Sequence, residues 1–226
     1  PTLVSSHLAL HQQETAEEIA GIGSSLLTHR KRNIFYQQLE EFGELFGATF
    51  SSTMRTVPPN FFYVGNSSVK KSFMETCGSF DESFPFDCWD DYEMGLRMAQ
   101  QGMRSIYVPE ATAEHDHALS LRERCRAKRR LGYSAFIHER KYPAIRHPWQ
   151  RRLKRSIPGC QLRVWRYWMQ HRISSNPKHL ARAMTALLDS HFVHGYRLAQ
   201  AGAKPDDVHF HDFSKTSVLV RCLAPE

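Results

Sequence analysis

No apolar run in the chain approaches the roughly 18 residues that a membrane-crossing helix needs, and no charged, apolar, small-residue leader opens it. The expectation is a chain that neither spans a membrane nor is visibly exported. The five cysteines (Cys77, Cys88, Cys125, Cys160, Cys222) contain no C-x-x-C pair. An odd count at irregular spacing argues against a disulfide framework and a cysteine-built zinc site, and fits reduced thiols in a cytoplasmic setting. Repeats and low-complexity tracts are absent, so nothing marks the chain as a solenoid or a disordered linker. Acid is in short supply: 23 Asp and Glu face 30 Lys and Arg. The resulting charge of +7 suits a polyanionic partner, which can be a nucleotide, an anionic lipid surface or nucleic acid. At 226 residues there is enough chain to bury one large domain, or a domain plus an extension.

What is present concentrates between Asn60 and His117, where acids, histidines and turn residues stand between apolar runs. Phe61–Val64, bounded by Pro58-Pro59 and Gly65-Asn66, reads as a short buried strand. Ser67 or Ser68 then caps a helix that runs to about Thr76 and closes at Gly78. An irregular loop, Ser79 to Cys88, carries Asp81 and Glu82. The segment Trp89-Asp90-Asp91-Tyr92-Glu93-Met94 predicts a helix start, with Asp90 as N-cap, Glu93 as its capping-box partner and Trp89 stapled onto Met94. That helix runs to about Gln101 and stops at Gly102, with Tyr92, Leu96 and Ala99 on its apolar face and Met94 and Met98 widening it. Asp91, left free by Asp90, faces a cleft as an ionised carboxylate favoured by the helix dipole. Ile106–Val108 is a strand ended by Pro109, and His115 and His117 follow on a loop.

In order and spacing these segments resemble the acceptor half of family 2 glycosyltransferases of the GT-A fold. The resemblance is carried by GNSSVKKSF, GSFDESF, WDDYEMGLRMAQQG and the stretch from Pro109-Glu110-Ala111 to His115. It implies an α/β fold: the C-terminal part of a GT-A (nucleotide-diphospho-sugar transferase) mixed-sheet domain over residues 1–117. A mostly helical, basic extension over 118–205 and a short strand or tail over 206–226 would follow. Residue by residue, it makes Asp91 the catalytic base, Asp90 its acidic neighbour and His115 a ligand of Mg2+ or Mn2+, with His117 ranked below it. Asp81 and Glu82 would shape the acceptor pocket, Trp89 would line it, and Asn66 would contact donor or acceptor. The implied activity is inverting transfer of a sugar from a nucleotide-sugar donor to a hydroxyl of a saccharide or lipid-linked glycan, as in polysaccharide biosynthesis. The Asp-x-Asp of the family precedes a helix like the one starting at Pro1, and no such motif stands before it here. The expectation is therefore a C-terminal portion lacking the nucleotide-binding half and inactive by itself.

Outside that region the patterns are plainer. Pro1–Gln13 reads as a short helix on which His7 and His11 share a face; without the glutamate of H-E-x-x-H they are expected to pack rather than to bind metal. Glu14–Thr28, polar and glycine-punctuated, reads as a loop with a helical turn, and Asn33–Phe46 as an amphipathic helix. Beyond His117 come a basic helix capped by Ser120 with Glu123, a second basic cluster at Arg151–Arg155, an aromatic-rich segment Cys160–His171, and a helix begun by Asn176-Pro177 and stopped at Gly202. The basic helices suit peripheral docking at an anionic membrane face. Nucleic acid is disfavoured, since no helix-turn-helix, zinc-finger or RNA-binding signature accompanies the charge. An inactive glycosyltransferase-like binding domain is the remaining alternative.

Overall fold

The computed structural model describes residues 2–27, 55–115 and 120–210, and the chain divides into two compact units. The first holds the described residues of Pro1–Arg32, Leu39–Glu82 and Trp89–Ala118; the second holds those of Asn33–Gln38, Ser83–Cys88 and Leu119–Glu226. The expected helix over 33–46 lies outside the described residues.

In the first unit the elements are α1 (Thr2–Gln13), β1 (Ile19–Leu27), β2 (Ser67–Val69), α2 (Lys71–Cys77), α3 (Asp90–Gln100) and β3 (Arg104–His115). The sheet is small and mixed, as an α/β domain of this kind requires: its order is β2-β1-β3, with β1 antiparallel to β2 and parallel to β3. Residues 55–57 extend it, because Thr56 bridges Ile106 and Val57 N–H donates to Ser105 O.

The central strand is the one that reads as a loop in sequence. Ile19, Ala20 and Ile22 are almost wholly buried, yet they alternate with glycines that local propensity counts against a strand. Those glycines are there for close approach. A methyl at Gly21 would lie 2.7 Å from Ser68 Oγ and 2.8 Å from Leu10, and one at Gly23 would lie 2.4 Å from Ala111 O. Ala20 and Ile22 pack into a core with Val57, Phe62, Phe73, Met94, Met98 and Met103.

Three further expectations are corrected. Phe61–Val64 is not a strand; single 3-10 turns at Pro59–Phe61 and Val64–Asn66 bracket the buried Phe62. Ser67 and Ser68 do not cap a helix but form β2, and α2 starts at Lys71 without a side-chain cap. Pro109 does not end β3. The pairing moves from Gly23 opposite Val108 to Ser24 opposite Thr112, so Pro109-Glu110-Ala111 is a bulge, where a residue without an N–H breaks no ladder bond.

The second unit is helical: α4 (Leu121–Lys141), α5 (Gln150–Leu153), α6 (Ile157–Ser174), α7 (Pro177–Gln200) and α8 (Asp207–Phe210). The short α8 opens the segment expected as a strand or tail from residue 206, and 211–226 lie outside the described residues. The capping box of α4 forms as expected, with Ser120 Oγ accepting from Glu123 N–H and Glu123 accepting from Ser120 N–H. Asn176 caps α7, and Gly202 follows it at φ 78.

Helices α4 and α7 cross at backbone contact. A methyl on Gly132 would sit 2.0 Å from Phe192 O, and one on Gly195 would sit 1.9 Å from Arg129 O. Neither clash can be relieved by a side-chain rotation, because both neighbours are helix backbone. Gly132→Ala or Gly195→Ala is therefore expected to destabilise the protein by about 3 kcal/mol or more. Urea unfolding followed by circular dichroism measures this, and an unchanged midpoint would refute the close crossing.

Candidate active site

The site is built on the N-terminal turn of α3, and its position is set at the other end of the same turn. Glu93, 2% exposed, accepts from Arg97 Nε at 2.8 and 3.0 Å. Arg97 then spends both terminal nitrogens on backbone, Nη1 donating to Cys77 O at 2.5 Å and Nη2 to Ser79 O at 2.8 Å. One guanidinium thus fastens α3 to the C-terminal end of α2 and to the loop that follows. Glu93 is consequently not the capping-box partner that its spacing suggests. Below it, Met94 and Met98 form the buried stripe of α3, while Tyr92, Leu96 and Ala99 are only half-buried, so the helix is rotated relative to the expected face. Gly95 allows that seat, since a methyl there would lie 2.5 Å from Pro59 O.

Trp89, not Asp90, is the N-cap residue. Its carbonyl accepts from Glu93 N–H at 2.8 Å, and its φ of 75 puts it in the left-handed region, a conformation that costs a bulky L-residue about 1–2 kcal/mol. No local sequence signal announces it. Backbone strain of this kind concentrates at functional positions. The Trp89 ring meets Tyr92 edge-on, with centroids 5.2 Å apart.

Asp90 and Asp91 therefore occupy the first two helical positions. Asp91 Oδ1 accepts from Tyr92 N–H at 2.7 Å. Burial pushes the Asp91 carboxyl up to about 6; the Tyr92 N–H opposes that rise and the neighbouring Asp90 charge adds to it. The helix dipole, worth about 0.3–1 kcal/mol near a terminus, does not offset the desolvation, yet a carboxyl at about 6 is still mostly ionised at neutral pH. Tyr63 belongs to the same cluster: burial raises its phenol, and the Asp91 charge raises it further. The sequence pattern hides Tyr63 inside an apparent apolar strand.

The other expected site residues are placed as follows. Asn66 is buried, its Nδ2 donating to Ser24 O and Ala111 O at 2.9 Å each and its Oδ1 meeting His7 Nε2 at 3.0 Å. It ties β1, the β3 bulge and α1 together. Ser68 Oγ meets His7 Nδ1 at 2.8 Å and His11 Nε2 at 3.0 Å, so the two histidines fasten α1 to β2 by hydrogen bonds. Asp81 is half-buried and Glu82 exposed, both on the loop after α2. His115 is the last residue of β3, opposite Leu27 of β1; His117 lies outside the described residues. Among the described residues no three His, Cys, Asp or Glu side chains converge. The chemistry below is confined to protons and positioning.

This geometry accords with the comparison against protein families. The model of glycosyl transferase family group 2 matches residues 12–199, and the chain belongs to that family. The match runs through both units, the helical one included. Neither the curated proteins nor the solved structures gave a match.

A buried carboxyl held at about 6 has a thermodynamic signature. Its folded pKa lies above the unfolded value of 3.8, so its stabilising contribution is complete below pH 3.8 and is lost as pH rises through about 6. At pH 7.5 the ionised carboxylate is a net cost. Asp91→Asn is expected to raise stability there by about 1–3 kcal/mol and to add little at pH 4. Denaturant titrations at the two pH values test this; a variant destabilised at both would mean that the carboxylate supports the fold.

Proposed function

We propose that this glycosyltransferase is an inverting enzyme whose base is Asp91. The observation that carries the proposal is a carboxyl at the start of α3, desolvated to a pKa of about 6 beside a second carboxylate. Such a group is ionised at neutral pH yet basic enough to take a proton from an alcohol as its oxygen becomes a nucleophile. The donor is a nucleotide sugar and the acceptor a hydroxyl of a saccharide or lipid-linked glycan. As the acceptor oxygen bonds to the anomeric carbon from the face opposite the diphosphate, the bond to the diphosphate breaks, and the diphosphate leaves with the electron pair. The acceptor proton ends on Asp91.

Asp90 is a positioning residue in this scheme, since its charge keeps the proton affinity of Asp91 high. Trp89, beside Tyr92 at the start of α3, offers an aromatic face on which a sugar ring can pack. Asp81 and Glu82 contribute acceptor hydrogen bonds from the loop that Arg97 anchors.

Sugar transfer and donor hydrolysis, followed over a panel of nucleotide sugars, test this assignment. Asp91→Asn is expected to lower kcat by about 10²–10⁴ with nucleotide-sugar affinity unchanged. In the wild type kcat/KM should fall on the acid side below about pH 6, because the base must be ionised. Asp90→Asn should move that limb to lower pH by removing a like charge. An Asp91→Asn enzyme within a few-fold of wild type would sink the proposal, as would an acid limb that ignores Asp90→Asn.

A further inference from the structure

Helix α6 carries two apolar faces and the helical unit uses one. Val164 and Cys160 are fully buried, and α6 packs along α7. At the angular step of an α-helix, Leu162, Trp165, Met169 and Ile173 point away from that contact. Leu162 is 66%, Trp165 54% and Ile173 81% exposed. Large aliphatic and indole side chains aligned along one helix and left in water signal a binding surface.

The charge around the stripe says what kind of surface covers it. From Tyr142 to Leu188 the sequence holds ten Lys and Arg and no Asp or Glu. Arg152 and Arg155 are engaged by Asp189, while Arg151, Lys154, Arg166, Arg172 and Lys178 are exposed. Arg163 and Arg166 lie over the Tyr167 ring at 5.9 and 5.5 Å, which keeps cations on the helix beside the stripe. A second copy of the chain meeting this face would bring like charges together. Nucleic acid would answer the arginines but would give the aliphatic Leu162, Met169 and Ile173 nothing to bury against. Anionic lipid answers both, with phosphates for the arginines and the headgroup–acyl boundary for the stripe. Among the described residues no helix is long and apolar enough to cross a membrane, so the helix would lie along the surface.

We infer that α6 docks the protein on an anionic lipid surface, with Leu162, Trp165, Met169 and Ile173 entering the interface and the neighbouring arginines pairing with lipid phosphates. The contact is separate from the Asp91 chemistry.

Sedimentation of the intact protein with phosphatidylcholine vesicles, with and without phosphatidylglycerol, tests the inference in the absence of donor and acceptor. Binding is expected only to the anionic vesicles. Leu162→Asp with Ile173→Asp, both at exposed positions that leave the fold intact, should weaken it about tenfold or more. Arg166→Ser and Arg172→Ser should each weaken it roughly fivefold at moderate salt. Brominated lipid should quench tryptophan emission in the wild type and much less in Trp165→Phe. Equal vesicle binding by wild type and the Leu162→Asp/Ile173→Asp variant would overturn the docking face. So would tighter binding to duplex or single-stranded nucleic acid than to vesicles, or a concentration-dependent dimer abolished by the same variant. Because Asp91→Asn should bind vesicles like the wild type, failure here and failure of the proposed chemistry are separable.

Discussion

The Glu93–Arg97 pair is the interaction on which the α3 end of the first unit depends. A buried carboxylate is costly in isolation, and removing one partner of such a pair typically costs about 3–5 kcal/mol because the other is left uncompensated. Here the cation also satisfies two backbone carbonyls, Cys77 O and Ser79 O, at the point where α2 ends. Gly78, at φ 84, lets the chain turn past the guanidinium. The pair therefore fixes three things at once: the seat of α3, the end of α2 and the start of the loop that carries Asp81 and Glu82. Asp91 inherits its place from that anchor, two residues before Glu93.

Opposing effects at Asp91 decide its chemistry by magnitude. A helix N-terminus favours the anion, and so does the Tyr92 N–H. Desolvation favours the neutral acid and is the larger influence, with Asp90 on its side. The outcome is a carboxylate that remains ionised at neutral pH by a narrow margin. The fold bears the cost of that margin.

In the helical unit the same accounting changes the meaning of the basic run in α4. Lys128 and Arg129 are buried, and Arg129 Nη2 meets His191 Nδ1 at 3.1 Å. Burial is the main cause that lowers His191, to about 3, so its ring is neutral and can accept from the guanidinium. Part of what a sequence presents as a cationic surface is thus internal bonding between α4 and α7. The cations that do reach solvent include those about α6.

Much of this protein was legible in its residues. The glycosyltransferase family was legible as a resemblance carried by a few motifs, while the start of α4 and the span of α7 follow from causes that are local: caps, helical periodicity and a proline or glycine at the right end. The central strand was not, because Gly21 and Gly23 serve neighbours more than 40 residues away in sequence, at Asn66, Ser68 and Ala111. Nor was the cap of α3, since the left-handed Trp89 is imposed by packing against local preference, nor the partnership of Glu93, which capping rules assign to Asp90 and the fold assigns to Arg97. The sequence by itself determined which groups are available for chemistry. Only the tertiary structure decided which of them are desolvated, as Asp91 is, and which are consumed in holding strands and helices together, as Asn66 and Glu93 are, because burial and bonding partners are set by packing.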